Sequence, residues 1–316
     1  MSRLPSFLAS TPPSVGVEIA SDRVTAVSLT TQGGGVGVSG YATERLPPGA
    51  VTPAVNGTNI HDRAAVTAAL RAAFEAIGSR PRRIALVIPD TAAKVSLLRF
   101  EKVPAPNDLD QLIRWQVRKA APFKPEESRL SWVRGVSLPQ GGREFIVTLA
   151  RRDIIESYEQ VCEAAGAQPG VVDLATLNLI NAAIAGGRTP AGDSLVVHVA
   201  GDYATLAIVR GQDLIFIRTR VLEAPGDLAD LVHQTAMYHE DRLEGAQFAR
   251  VILSGAWQGT EAAEGARRAL EERVGVRVEP LDFRSAAALR GRIEAGSDLL
   301  DTLAPAVGIV LRERVA

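Results

Sequence analysis

The chain has 316 residues, with 35 Lys and Arg against 36 Asp and Glu, and a formal net charge of −1. This balance provides no overall field that would hold nucleic acid or an anionic membrane surface. The one cysteine, Cys162, excludes an intramolecular disulfide and favours a cytosolic setting. It lies in a helical pattern, where a buried apolar role is expected. No apolar run reaches the ~20 residues that a spanning helix needs.

The beginning of the chain predicts the element order β-β-β-α-β. Strands are expected at 15–19, 24–29 and 36–46, and the polar turn at 20–23 separates the first two. The helix at 61–77 is indicated by apolar residues at helical spacing, namely Val66, Leu70, Phe74 and Ile77. The run RRIALVIPD then predicts a buried strand at 84–88, which ends at a proline.

A small α+β segment is expected to follow. A strand is predicted at 93–100, a helix from 107 or 108 to 119, and a pair of strands in SRLSWVRGV and REFIVTLAR across the turn PQGG. Helices are then predicted at 154–165 and at about 175–185.

The second half repeats the plan of the first. Strands are predicted in SLVVHVA, ATLAIVR and LIFIRTRV, then a helix at 227–243, a strand in RVILSG, a helix near 261–273, a strand in VRVEPL and a closing helix at 298–313. Such self-similarity suggests two related lobes. We therefore expect a first lobe core at 14–89, an inserted subdomain at 90–170, a second lobe at 171–297 and a closing helix at 298–316 that returns to the first lobe.

This layout, two lobes and a closing helix, resembles that of the actin-like ATPase superfamily. A closer resemblance rests on the runs VGVEIASDRVTAVSL, ALVIPDTAAKVSLLRFEKVP, LDQLIRWQVRKAAPF, VVDLATLNLINAA and LAPAVGIVLR, and it is most specific over 84–123. In these runs the chain resembles the PilM family of type IV pilus assembly proteins, which is similar in fold to FtsA. It implies an α/β, two-lobed actin-like fold (a duplicated ribonuclease H-like fold) with a small α+β subdomain inserted in the first lobe.

The resemblance also implies a place and partners. Members of this family are cytoplasmic and reach the inner membrane through a partner, so the chain is expected to be peripheral to the membrane. The partner is the N-terminal cytoplasmic tail of a PilN-like membrane protein, held in a groove between the first lobe and the inserted subdomain. Through it the family links the motor to the periplasmic alignment complex. Contacts with other pilus machine proteins and a homo-oligomeric ring are expected as well.

The nucleotide-binding turns of the superfamily are altered at several positions. The first hairpin of PilM relatives typically reads Asp-Ile-Gly-Ser-Ser-Ser-Val-Lys, and the matching residues here include Glu18, Ala20, Ser21, Asp22, Arg23 and Thr25. The second typically reads Asp-Ile-Gly-Ala-Ser-Thr-Thr, matched here by a stretch that includes His198, Gly201, Asp202 and Tyr203. The third, Ser-Gly-Gly-Gly-Ala, is matched by a stretch that includes Ser254, Gly255 and Trp257.

These changes predict a degenerate nucleotide cleft. Glycine permits the close approach and positive φ of a phosphate nest, and Mg²⁺ prefers carboxylate oxygens. Several glycines and the second metal-side aspartate are replaced, so we expect no catalytic residue, no metal ligand and no obligatory cofactor. ATP and magnesium remain possible, because Gly201 takes the nest position in a shifted alignment.

A basic cluster on the helix of the inserted segment is a candidate partner site. Arg114 and Arg118 share one helical face, and the aromatic residues Trp115 and Phe123 lie beside them. They could pack on a tail peptide and donate hydrogen bonds to it. A solvated surface is the alternative.

The leading hypothesis is a non-catalytic scaffold of the type IV pilus inner-membrane machinery. One alternative is a functional Mg-ATP-binding or hydrolysing ATPase of the same machine. A second is an FtsA-like or GspL-like membrane adaptor; we expect neither an amphipathic membrane helix after residue 314 nor a transmembrane segment, which speaks against it. The pathway itself, pilus, competence or secretion, is left open.

Overall fold

The first lobe is built on the predicted β-β-β-α-β order. The computed structural model describes residues 13–315, except 33–34, 119–120, 122, 186–190, 225, 256–259 and 291–295. Its first elements are β1 (Val15–Ile19), β2 (Arg23–Gln32), β3 (Gly35–Arg45), α1 (Arg63–Ala76) and β4 (Arg83–Ile88). β1 pairs antiparallel with β2 and parallel with β4, so it lies at the centre of a sheet. All five residues of β1 are buried, as expected for a strand covered on both faces, and Glu18 is the charged residue among them.

A second, smaller sheet follows. It consists of β5 (Ala93–Phe100), β6 (Ser128–Ser137) and β7 (Arg143–Arg151), in the order β5-β7-β6, and α2 (Pro106–Arg118) covers one of its faces. Leu109, Ile113 and Val117 of α2 pack against Phe145 and Val147 of β7. These helix residues are spaced by four, which places them on one side of α2.

The chain then returns to the first sheet. α3 (Arg152–Ala164) packs against the core of the first lobe, where Cys162 is buried, and β8 (Gln168–Leu174) pairs in parallel with β4. Burial raises the pKa of the Cys162 thiol to about 12. The separate small sheet thus occupies residues 93–151, whereas α3 and the start of β8, which the expected subdomain at 90–170 included, lie in the first lobe.

The second lobe repeats the first in its sheet topology. After α4 (Ala175–Ala185) come β9 (Asp193–Ala200), β10 (Tyr203–Arg210), β11 (Asp213–Val221), α5 (Asp227–Arg242), β12 (Arg250–Ser254), α6 (Thr260–Val274) and β13 (Val278–Pro280). β9 pairs antiparallel with β10 and parallel with β12, as β1 does with β2 and β4. A short strand, β14 (Ala287–Leu289), pairs with β3 and so belongs to the first sheet, although its residues fall in the expected second lobe.

The closing helix, α7 (Ser297–Val315), is buried between the lobes. Its apolar residues share one core cluster with residues of both sheets, among them Val87 of the first and Val196 of the second. Two glycines allow the close packing. A Cβ on Gly16 would overlap the Ala306 carbonyl group of α7, and a Cβ on Gly308 of α7 would overlap the Asn178 carbonyl group of α4.

We expect Gly308→Ala to destabilise the protein by about 1–3 kcal/mol, because the added methyl group must push α7 away from the α4 backbone. Chemical denaturation measures this change. Gly265→Ala on α6 is the matched control: its methyl group would meet open space, and alanine is favoured over glycine in a helix by about 0.8–1 kcal/mol. Equal stability of Gly308→Ala and the wild type would contradict the close packing of α7.

Candidate functional site

The cleft between the lobes lies where the β1–β2 turn faces the β9–β10 turn. Gly201, in the second turn, has a φ of 59°, a left-handed conformation that favours glycine. A Cβ on this residue would lie 3.2 Å from the Ser21 Oγ of the first turn. The two turns are therefore close to direct contact across the cleft.

Five of the eight residues expected at the cleft line it, namely Glu18, Ala20, Ser21, Gly201 and Gly255. His198 is buried behind them, the side chain of Asp202 is exposed, and Trp257 lies outside the described residues. The described residues leave about 20 Å³ open to the centre of a water molecule, which is room for about one water. Pockets that hold a drug-sized ligand measure about 300–1,000 Å³.

Arg23 turns into the cleft and pairs with carboxylates of its own hairpin. Its guanidinium nitrogens lie 3.6 Å from Glu18 Oε2 and 3.2 Å from Asp22 Oδ1. Arg23 and Glu18 are both largely buried, so their contact is poorly screened, whereas Asp22 is half exposed. Its direction could not be read from the sequence, and in the structure its charge is used by the protein itself.

Two buried carboxyl groups in the cleft are difficult to ionise. Burial raises the pKa of Glu18 to about 7, although Arg23 opposes this effect. Asp301, at the start of α7, accepts a hydrogen bond of 2.6 Å from the Gly255 N–H, and burial raises its pKa to about 6. One oxygen of each, Glu18 Oε2 and Asp301 Oδ1, lacks a hydrogen-bond partner among the described residues. The cleft therefore carries acidic groups that are poorly compensated.

Tyr203 crosses from the second lobe to the first. Its buried hydroxyl accepts a hydrogen bond from the Asp90 N–H at 3.2 Å. The Asp90 carboxylate in turn accepts from Thr176 N, at 3.0 Å, and from Thr176 Oγ1, at 2.5 Å, at the beginning of α4. A carboxylate at a helix N-terminus is stabilised by the helix dipole. This chain of bonds joins the second hairpin to β4 and α4.

His198 is packed against Tyr203, with ring centroids 6.3 Å apart in an edge-on arrangement. Burial lowers the pKa of His198, and the nearby Asp90 opposes that shift. It replaces the second aspartate of the family pattern, and a neutral imidazole supplies no charge to a metal ion.

The groove between the first lobe and the small sheet is much larger than the cleft. About 470 Å³ of the groove is open to the centre of a water molecule. Its walls are mainly apolar and come from β8, α4 and the face of β7 that carries Ile146, Thr148 and Ala150. Arg312 of α7 forms an ion pair with Asp173 of β8 at this groove.

The basic cluster predicted as a partner site lies on the other side of the small sheet. α2 packs on the face of β7 that carries Phe145 and Val147, whereas the groove is formed by the opposite face. Arg114 pairs with Asp110 on α2 itself, at 2.6 Å. None of the residues Arg114, Trp115, Arg118 and Phe123 lines the groove, and their role in binding stays a prediction.

Asp90, Asp301 and Arg312 were missed by sequence reasoning. Asp90 comes two residues after the end of a buried parallel strand, a position where functional side chains often gather, so its place in the sequence was a usable signal. Asp301 and Arg312 come from the last helix, and only the folded chain brings them beside residues far away in sequence.

No group of three or more His, Cys, Asp and Glu residues in the described part of the chain could hold a metal ion. The donor set at the cleft also differs from what magnesium needs: Glu18 faces Arg23, and burial disfavours its charged form. Among the helices that are described, none is long and apolar enough to cross a membrane.

The cleft carboxyl groups predict a pH dependence of stability. Glu18 and Asp301 hold protons more tightly in the folded chain than in the unfolded chain, so the free energy of unfolding should fall as pH rises from about 4 to 7. Glu18→Gln should reduce this fall and stabilise the protein at pH 8 by about 1–3 kcal/mol, and leave it nearly unchanged at pH 4, below the pKa of Glu18 in either state. Urea unfolding across this range measures the effect.

Glu272→Gln on α6 is the control for this experiment, since Glu272 is exposed. It should leave the pH profile as in the wild type. A profile of Glu18→Gln that matched the wild type would contradict the assignment of the effect to Glu18.

Comparisons with solved structures show the fold class. The chain is similar to a structure described as the PilM-PilN type IV pilus biogenesis complex, with 17% identity, 95% of this chain and 98% of that chain covered, and a TM-score of 0.79. It is also similar to a protein of actin-like ATPase fold and unknown function from Bacteroides thetaiotaomicron, with 11% identity, coverage of 90% and 97%, and a TM-score of 0.52.

A third similar structure is the cytoplasmic domain of EpsL, an inner-membrane component of the type II secretion system of Vibrio cholerae. Its identity is 8%, the coverage is 95% of this chain and 94% of that chain, and the TM-score is 0.50. At such identities these likenesses show the fold alone, and they confirm the two-lobed actin-like fold expected from the sequence.

The family model described as type IV pilus assembly protein PilM matches residues 16–228. Since this match spans more than half of the chain, the chain belongs to the PilM family of type IV pilus assembly proteins.

Proposed function

We propose that this chain is a scaffold of the type IV pilus machinery, which holds the N-terminal cytoplasmic tail of a PilN-like membrane protein in the groove and has no working nucleotide site. The observation that carries this proposal is the contrast between the groove, at about 470 Å³, and the cleft, at about 20 Å³. The chain would act at the inner membrane through its partner and link the motor to the periplasmic alignment complex.

Family membership and the chemistry of the groove support the choice of partner. The similar structure with the highest TM-score given above is named as a complex of PilM with PilN. Apolar residues from several elements line the groove, including Ile146, Leu177 and Ile180. Such walls fit the apolar side chains of a peptide, and burial of those side chains provides affinity.

The charges of the cleft support the loss of Mg-nucleotide binding. Phosphate groups placed beside Glu18 and Asp301 would meet carboxyl groups of raised pKa, while the nearest cation, Arg23, already pairs with Glu18 and Asp22. Phosphoryl transfer depends on positioning and on charge stabilisation, and an arginine that is already paired supports the loss of the second. The side chain of Tyr203 also spans the two lobes at this point.

A working Mg-dependent ATPase is the second candidate function. It is favoured by the left-handed backbone at Gly201 and Gly255, because successive turns of this kind direct N–H groups towards an anion. In that case ATP would have to displace the contacts between the two turns. Formation of a homo-oligomeric ring, and contacts with other pilus machine proteins, are compatible with either function.

Isothermal titration with Mg-ATP distinguishes the two candidates. For the scaffold, we expect no binding tighter than a Kd of about 10 μM, which corresponds to about −7 kcal/mol, and no ATP turnover above the buffer rate. Tighter binding, or turnover that disappears in Arg23→Ala, would favour the ATPase.

A synthetic peptide of the N-terminal tail of a PilN-like membrane protein tests the groove. Val133 of β6 lines the groove and is 54% exposed, so Val133→Glu should leave the fold intact. The introduced charge should weaken peptide binding about tenfold or more, because it would be buried on binding. Fluorescence anisotropy of the labelled peptide measures this.

Two variants serve as controls for the peptide experiment. Val221 of β11 is 56% exposed and lies outside the groove lining, so Val221→Glu should bind the peptide as the wild type does. Trp115→Ala changes the α2 cluster and should also leave binding unchanged. Loss of binding in Trp115→Ala, with normal binding by Val133→Glu, would move the interface to α2.

A further inference from the structure

The groove runs along the outer edge of the first sheet. The order of strands in that sheet is β14-β3-β2-β1-β4-β8, so β8 is the last strand, and no described strand pairs with its outer side. An edge strand directs alternate N–H and C=O groups away from its sheet. These groups can pair with another extended segment.

The residues of β8 that line the groove show that the cavity follows this edge. Val171 packs on the side of the sheet where α4 and α7 lie, and Val172 packs on the side where α1 and α3 lie. Neighbouring side chains of a strand point to opposite faces, yet both valines line the same cavity. A cavity that contacts both faces of one strand must lie along the edge of that strand, beside its main chain.

The open length of this edge is short and has defined ends. Pro169 has no N–H group, and the pairing of β4 with β8 is irregular beside it. At the other end, the Leu174 N–H already donates to the Asp173 carboxylate, at 2.9 Å. The same carboxylate pairs with Arg312. The segment 170–173 is therefore the part of β8 that can accept a partner strand.

Side chains of a strand added here would find apolar surfaces on both of its faces. On the side of Val171 lies Ile180 of α4, on the side of Val172 lies Ile155 of α3, and Leu177 of α4 packs against both core clusters; all three line the groove. The cavity thus extends to both sides of the sheet at the place where an added strand would lie.

The edge of β6 faces the same groove but is less suitable. Ser131, Trp132 and Val133 line the groove, and no described strand pairs with the outer side of β6. Trp132, however, points towards α2, where its indole N–H donates to Asp110 at 3.2 Å. No described residue of α2 lines the groove, so a strand added to β6 would direct every second side chain away from the cavity.

We propose that the groove binds its partner as an additional β-strand on the free edge of β8 at residues 170–173. The occupant is an extended peptide segment of about four residues, with apolar side chains that alternate between the α4 side and the α3 side. The proposal rests on the proposed function, in which the groove receives the tail of a PilN-like protein, and it adds that main-chain hydrogen bonds hold this tail in place.

A backbone N-methyl scan of the tail peptide tests the strand pairing. Each peptide carries one N-methyl group, which removes one donor and leaves the side chains unchanged. Methylation of the residues whose N–H groups face β8 should weaken binding about tenfold, since each such bond is lost and its acceptor is left unpaired. Methylation of the residues between them should change binding less than about threefold. Uniform tolerance along the segment would overturn the proposal.

Amide hydrogen exchange identifies the strand that is paired. On binding of the unmodified peptide, exchange should slow at 170–173 of β8 and stay unchanged at 131–133 of β6. Slowing confined to β6 would overturn the assignment to β8. Binding of the unmodified peptide without the alternating pattern would refute strand addition alone, whereas complete failure of that peptide to bind would refute the proposed function as well.

Discussion

The close packing of α7 between the two sheets is the constraint on which the rest of the structure depends. Gly16 and Gly308 let the helix approach β1 and α4 at backbone distance, and its apolar residues join the inner faces of both sheets into one core. The helix also reaches two sites. Asp301 near its beginning bonds to the cleft, and Arg312, about 16 Å further along, contacts the groove. A displacement of this helix would therefore affect both sites together.

In the cleft, side chains of the two facing turns pair with groups of the protein itself. Arg23 pairs with Glu18 and Asp22, and Tyr203 reaches the Asp90 backbone across the lobes. Each difference from the family pattern in these turns is small, but all of them are expected to weaken the binding of a Mg-nucleotide. A basic side chain is engaged, buried carboxyl groups remain, and the space between the turns is nearly closed. In the groove, by contrast, apolar side chains and the free edge of β8 are available for contact with a partner.

Most of the fold could be predicted from the sequence, because strong periodicity and turn signals mark the elements of both lobes. The short β14 could not, since three residues carry too little pattern and their pairing with β3 depends on the complete fold. The C-terminal boundary of the small subdomain could not be predicted either, because the sequence of β8 does not reveal whether the strand pairs with β4 or with β7. At the cleft, Glu18 and Gly201 were found from the hairpin pattern, while the direction of Arg23 depends on burial. The α2 cluster was basic and aromatic in sequence, but strand alternation in β7 places it away from the groove.

The chain of bonds from Tyr203 through Asp90 to Thr176 has a consequence for energy supply. A two-lobed protein can perform directional work when binding and hydrolysis of a nucleotide such as ATP drive its lobes between an open and a closed arrangement. If hydrogen bonds within the chain hold the two lobes together, the open and closed arrangements of the lobes do not correspond to nucleotide-free and nucleotide-bound states. The contacts with a partner would then be set when the protein folds, and any later movement of the lobes would need a source of free energy outside this chain.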